Sequence, residues 1–305
     1  MVSQGGSPSR LDATSDAERI QRLKAIGLMC VALMCFSTLD TTAKYLTASF
    51  PVIQIIFCRY FTHLMAAVGT TPPRELPTVW RSRRWVLQIM RGCFMLGATM
   101  FNFIAVQYLQ LAETMSIFFA TPLMVALLSG PLLNEWVGPR RLIAICVGFA
   151  GVLLVVRPGL GGLPWQAAYS VMAMLSYSAY AITTRMLAPT EKSTTAQFYS
   201  ATVGTIAFLP LVIAVWQTPD SLFLAFLLLI TGFIGFTGHQ FMIMAHRIAP
   251  AAILSPFIYT QIFWMSLLGY LIFGDVPGIW TIAGASIVIA SGLYLLWRER
   301  RIKTA

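Results

Sequence analysis

Apolar residues fill this chain in long blocks, separated by short segments that carry glycine, proline or charge. Blocks such as "AIGLMCVALMCFSTLDTTAKYL", "FYSATVGTIAFLPLVIAVW" and "IWTIAGASIVIASGLYLLW" have the length, about 20 residues, that a helix needs to cross a bilayer core. The pattern predicts ten spans, at 25–47, 51–70, 85–108, 112–133, 139–156, 165–187, 195–216, 222–244, 250–273 and 278–297. The fold class is therefore all-α integral membrane.

Composition agrees with this pattern. Of 305 residues, 57% are hydrophobic and only 10% charged, where a soluble protein carries roughly 25% charged residues. A net charge of +10 would suit nucleic acid if it formed a patch on a folded surface. Here Lys and Arg are confined to loops and ends, so no nucleic-acid partner is expected. Their distribution sets orientation instead, because positive loops stay cytoplasmic. With the N-terminus inside, sixteen Lys and Arg fall on inner segments and only Arg157 on an outer one. Both termini are thus predicted to be cytoplasmic, residues 1–24 as a short disordered tail and 298–305 as a basic tail. Cys30, Cys35, Cys58, Cys93 and Cys146 all fall inside apolar blocks without metal or redox spacing, and read as packing residues.

The chain also repeats itself. A shift of 140 residues brings Ala105, Leu127, Leu128, Gly138 and Leu153 onto Ala245, Leu267, Leu268, Gly278 and Leu293, and Glu135 onto Asp275. A shift of 141 pairs Phe36, Ser37, Thr42 and Lys44 with Tyr177, Ser178, Thr183 and Arg185. Each half, 25–157 and 165–297, holds five spans. Since five is odd, the second half enters the membrane from the opposite side. Such inverted repeats place a site near the midplane that opens alternately to each side, which predicts a transporter.

The stretch "AVQYLQLAETMSIFFATPLMVALLSGPLLNEWVGPRRLIAICVGFAGVLLVVRPG" closely resembles the EamA domain of the drug/metabolite transporter superfamily. Ala112–Glu113, Pro122, Glu135, Gly138 and the "GFAGVLLV" around Gly148 and Gly151 carry the likeness. The resemblance implies two inverted five-helix bundles around a central cavity in the cell inner membrane, moving amino acids, nucleosides, vitamins or other small metabolites. Ile262 stands where Pro122 would recur, which removes the sequence reason for a matching kink in the ninth span.

Polar residues within the spans are the candidates for function. Ser37, Asp40, Thr41 and Lys44 share one face of the first helix. Lys44 can snorkel to the interface, but Asp40 lies deeper, where a charge costs about 2.5 to 3.5 kcal/mol on insertion scales. Asp40 must face a cavity or pair with Lys44, and it is the candidate proton-coupling carboxylate. Arg59 suits an anionic group or Asp40 itself. Asn102, Ser178, Gln240 and Gln261 are candidate neutral contacts, and Tyr177, Tyr180 and Tyr259 candidate stacking walls. His239 follows Gly232, Gly235 and Gly238, a face that lets another backbone approach; a helix-to-helix hydrogen bond is its structural alternative. Arg91 reads as an anchor at the inner end, and Glu113 as a helix-start carboxylate. Trp165, Trp216, Trp280 and Trp297 mark span ends.

Neither a Walker A motif nor a His-Glu-x-x-His site is present, so no cofactor or metal is expected, and an intramembrane transferase lacks a recognisable nucleophile and base. The expected partners are the bilayer and a small-molecule metabolite. The aromatic and neutral polar candidates favour uptake of a flat-ring vitamin such as riboflavin; Asp40 with Arg59 favours an amino-acid exporter.

Overall fold

The computed structural model describes residues 10–133, 138–157, 162–187, 189–249 and 254–303, and every regular element in them is helical. In chain order these are α1 (Arg10–Leu46), α2 (Val52–Thr70), α3 (Trp85–Tyr108), α4 (Leu111–Phe118), α5 (Thr121–Leu133) and α6 (Pro139–Val156). The second half supplies α7 (Ala167–Leu187), α8 (Ser193–Val215), α9 (Leu222–Ile248), α10 (Gln261–Phe273) and α11 (Ile279–Lys303). Two 3-10 segments, Leu76–Thr78 and Ser255–Thr260, complete the set. Glu135, singled out in the sequence, lies outside the described residues, as do residues 1–9.

The tail read as disordered is helical from Arg10 onward. Its sequence, "RLDATSDAERIQRLK", is rich in helix formers. It continues an existing helix, and extension is far easier than nucleation.

Six helical stretches combine the length and hydropathy to cross a membrane: Arg19–Leu46, Val52–Thr70, Trp85–Tyr108, Leu111–Leu133, Ser193–Val215 and Leu222–Ile248. Leu142–Val156, Phe257–Phe273 and Ile279–Tyr294 are apolar but shorter, and the 21-residue α7 carries more hydroxyls. Large apolar side chains point outward along these helices, among them Leu222, Ile213 and Ile279. Such faces need lipid. This is a multi-pass membrane protein. Trp165, Trp216, Trp280 and Trp297 are all exposed, as interface residues are. All five cysteines are free, and Cys93 and Cys146 face outward instead of packing inside.

The halves interleave. The most extensive helix pairs are α1 with α9, α3 with α7, α6 with α11, and α2 with α8 and α9. Glycines permit the closest of these. A Cβ on Gly151 would lie 2.9 Å from the Gly284 carbonyl oxygen, and one on Gly284 2.6 Å from that of Gly151, so α6 and α11 touch through backbone. Ser291 adds a hydroxyl hydrogen bond to the Ala144 carbonyl. On α9, a Cβ at Gly232 would strike the α2 backbone at Arg59 and His63.

The fourth span is broken between α4 and α5. Pro122 has no N–H to give the Phe118 carbonyl; the Thr121 hydroxyl donates to it instead, at 2.6 Å. The segment expected as the ninth span breaks at the equivalent place, where the 3-10 segment Ser255–Thr260 passes into α10. Ile262 stands at the position that matches Pro122, so no proline there accounts for this break. The Thr260 hydroxyl, which donates to Phe257 O at 2.6 Å, takes over the role of Thr121.

Candidate functional site

Seven helices from both halves converge on a cavity of about 120 Å³. Six of the residues chosen from sequence line it: Asp40 of α1, Arg59 of α2, Asn102 of α3, Tyr177 of α7, His239 of α9 and Gln261 of α10. Phe36, Phe103 and Phe118 supply further aromatic wall.

Helix α3 organises the charged groups. Thr99 and Asn102 are three residues apart and share a face. Asn102 Nδ2 donates to Asp40 Oδ1 at 3.0 Å, while Arg59 Nη1 donates to Thr99 Oγ1 at 2.8 Å. Asp40 and Arg59 are thus held side by side along α3, and no ion pair joins them among the described residues. The Arg59 guanidinium also lies 4.9 Å from the Tyr60 ring and 5.7 Å from that of Phe103. Its buried Nε has no hydrogen-bond partner, so the guanidinium keeps donors unused. His239 packs edge-on to Phe36 at 4.9 Å and sits 6.0 Å from His63. Tyr177 lies between Phe118 at 5.0 Å and Tyr180 at 5.5 Å. The arrangement can hold a cation at Asp40, an anion at Arg59 and a flat ring against the aromatic faces.

The other five candidates are not on the cavity wall. Ser37 and Ser178 are fully buried and donate to their own helices, at Leu33 O (3.0 Å) and Met174 O (2.7 Å); a serine inside a helix has that carbonyl always within reach. The Tyr180 hydroxyl accepts from Arg91 Nη2 at 2.9 Å. Tyr259 packs edge-on to Phe119 at 5.0 Å, and Gln240 is half-buried elsewhere on α9. Of the three tyrosines expected to stack on a ring, only Tyr177 is in place.

Three charged residues also depart from their expected surroundings or settle an alternative. Lys44 does not snorkel and does not pair with Asp40: its Nζ donates to Asp275 Oδ2 at 2.7 Å and Leu109 O at 3.0 Å. Arg91 is no interfacial anchor. It is 4% exposed and ties α3 to α7 and α8 through Thr184, Ala196 O, Ser200 and Tyr180. Glu113 does cap its helix: Glu113 Oε2 accepts from the Gln110 N–H at 3.0 Å. Sequence reasoning missed Thr99, Phe36 and Phe118. The first two follow from helical spacing, three residues before Asn102 and four before Asp40, whereas Phe118 depends on the break at Pro122.

The EamA-like transporter family profile matches residues 23–157 and, a second time, residues 164–297. The chain belongs to that family. Within it, an S-adenosylmethionine uptake transporter of Rickettsia felis is 26% identical over 92% of this chain and 94% of its own. A riboflavin transporter of Rhizobium johnstonii is 25% identical over 90% and 91%, and a pseudopaline exporter of Pseudomonas aeruginosa 26% over 88% and 94%. A crystal structure at 16% identity superposes with a TM-score of 0.62, covering 91% of this chain and 98% of that one. This shows a shared fold. The EamA-like chain described here is accordingly a metabolite transporter of the drug/metabolite class, with its cavity built from both family matches.

Proposed function

We propose that this chain is a ten-span carrier of two inverted five-helix repeats, both termini cytoplasmic in the cell inner membrane, that takes up a small cationic solute bearing a carboxylate and a flat ring. S-adenosylmethionine is the lead substrate. The observation that carries this reading is the pairing of opposite charges on one aromatic-walled cavity: Asp40 held by Asn102, and Arg59 with spare donors beside Thr99. Asp40 takes the sulfonium or ammonium, Arg59 the carboxylate, and Phe36, Phe118 and Tyr177 the adenine ring. The solute's net positive charge supplies its own driving force, because one charge crossing 100 mV gains about 2.3 kcal/mol. At about 120 Å³ the cavity is smaller than the roughly 300–1,000 Å³ of ligand pockets, so admission requires the helices to part.

The test is uptake of labelled S-adenosylmethionine into proteoliposomes under an imposed inside-negative potential. Uptake is expected to rise with the potential, to survive protonophores when that potential is clamped, and to fall at least about tenfold in Asp40→Asn and in Arg59→Gln, each of which removes a charge-assisted contact. Uptake equal to protein-free liposomes would reject the substrate.

Riboflavin is the second reading. Asn102, Gln261 and Thr114 on the same wall offer neutral polar contacts that a flavin ring system can use. A neutral solute gains nothing from the potential, so its entry is either facilitated diffusion or, where uptake is concentrative, coupled to protons with Asp40 as the carrier group. Flavin uptake abolished by protonophores and by Asp40→Asn would establish it over the lead.

A further inference from the structure

Asp40 and Lys44 lie one turn apart on the same face of α1. Asp40 is on the cavity wall, while Lys44 reaches beyond it to the second half of the chain. Its ammonium meets Asp275, just after α10, at 2.7 Å, the Leu109 carbonyl at 3.0 Å and the Phe273 ring at 4.7 Å. Leu109 joins α3 to α4, whose first residue, Leu111, lines the cavity. The pair is largely shielded, with side-chain exposures of 15% and 23%. One ammonium therefore gathers α1, the α3–α4 corner and the end of α10 over one end of the cavity. Four residues back along its own helix stands a second carboxylate, at a spacing where such side chains meet.

We propose that Lys44 is a tethered cation that exchanges Asp275 for Asp40, and so couples occupancy of the cavity to closure of this end. The proposal rests on the reading of Asp40 as a cation-binding group. When α10 draws away from α1, Asp275 leaves with it, and an unpaired buried ammonium is costly. Asp40, one turn back on the same helix, then offers a carboxylate in place of Asp275, and Lys44 turns back to it. A substrate cation arriving at Asp40 displaces Lys44. The released ammonium recaptures Asp275 and the Leu109 carbonyl and pulls the end shut over the solute. With Lys44 on Asp275, Asp40 is held by Asn102, the arrangement seen in this structure.

The test needs no identified substrate. Ala98, on the cavity wall, is replaced by cysteine in a chain whose five native cysteines are removed, and its labelling by a membrane-impermeant maleimide is timed in right-side-out and in inverted vesicles. From the side that carries Asp275, Lys44→Met and Asp275→Asn are expected to label about tenfold faster, the pair that closes this end being gone. Asp40→Asn is expected to label slower by a similar factor, because Lys44 has lost its alternative partner and stays with Asp275. The exchange Lys44→Glu with Asp275→Lys should restore slow labelling, and each single variant is shown to fold by its thermal unfolding midpoint in detergent. Labelling in Asp40→Asn at or above the parent rate overturns the proposal and leaves Lys44–Asp275 a static tie. Equal rates throughout overturn it as well. If the variants behave as stated but S-adenosylmethionine does not slow labelling of the parent, the exchange stands and only the choice of solute falls.

Discussion

Arg91 and Arg59 are both buried guanidinium groups, 4% and 5% exposed, and their hydrogen bonds separate their roles. Arg91 spends its donors on four acceptors spread over α7 and α8; Arg59 donates once, to Thr99, and keeps a buried Nε unpaired. A saturated guanidinium holds helices together, and an unsaturated one remains able to hold a ligand. Lysine cannot reproduce the planar fork of donors, and a hydrogen bond to a charged group contributes about 1.5 to 3 kcal/mol. Arg91→Lys is therefore expected to lower the thermal unfolding midpoint in detergent while leaving the substrate KM near that of the parent. Arg59→Lys is expected to do the reverse. Sequence reasoning put Arg91 at the interface and not in a buried network, because its acceptors stand about ninety to one hundred and ten residues away along the chain. Asp40 was legible because its cost in a span is local and its face follows from helical spacing. Ser37 and Ser178 were misread because a hydroxyl that turns back onto its own helix looks the same in sequence as one that faces a cavity.

The broken fourth and ninth spans carry a similar lesson for elements. Pro122 announced the first break, but nothing comparable at Ile262 announced the second. Both breaks are stabilised by a threonine that answers the carbonyl three residues before it, Thr121 to Phe118 and Thr260 to Phe257. Proline is visible in a sequence, whereas the choice of a threonine rotamer is not. Phe118 lines the cavity, so the first threonine also fixes part of its wall. Thr121→Val and Thr260→Val each leave a carbonyl without its hydroxyl donor, at a cost of about 1 to 3 kcal/mol where the carbonyl is cut off from water. Both are expected to shorten the half-life of the detergent-purified protein on heating, and Thr121→Ser and Thr260→Ser to restore it. An unchanged half-life in the valine variants would mean that the breaks are set by packing alone.

At the scale of the whole molecule, the two ends of the bundle can be told apart by what meets there. At one end the 71–84 segment meets the α7–α8 connection: Ser82 donates to Glu191 at 2.8 Å, Lys192 lies 3.5 Å from Glu75, and Tyr199 donates to Trp80 O at 2.8 Å. At the other, the Gln54 side chain exchanges two hydrogen bonds with the Gln217 backbone, at 2.7 and 2.8 Å, and Lys44 meets Asp275. The first group contains Arg74, Arg81, Arg83, Arg84 and Lys192, all assigned to the cytoplasm by the positive-inside rule; the second contains segments assigned outside. Charge bias and contact geometry thus sort the connections in the same way, although one is read from composition and the other from packing across the halves. The proposed inverted five-span repeats would require this sorting, since each half would start from the opposite face. In intact cells, a membrane-impermeant maleimide is therefore expected to label a cysteine placed at exposed Thr218 and to leave one at exposed Thr78 unlabelled until the cells are opened. Labelling at Thr78 from outside would reverse the orientation, and labelling at both positions would break the ten-span inverted arrangement itself.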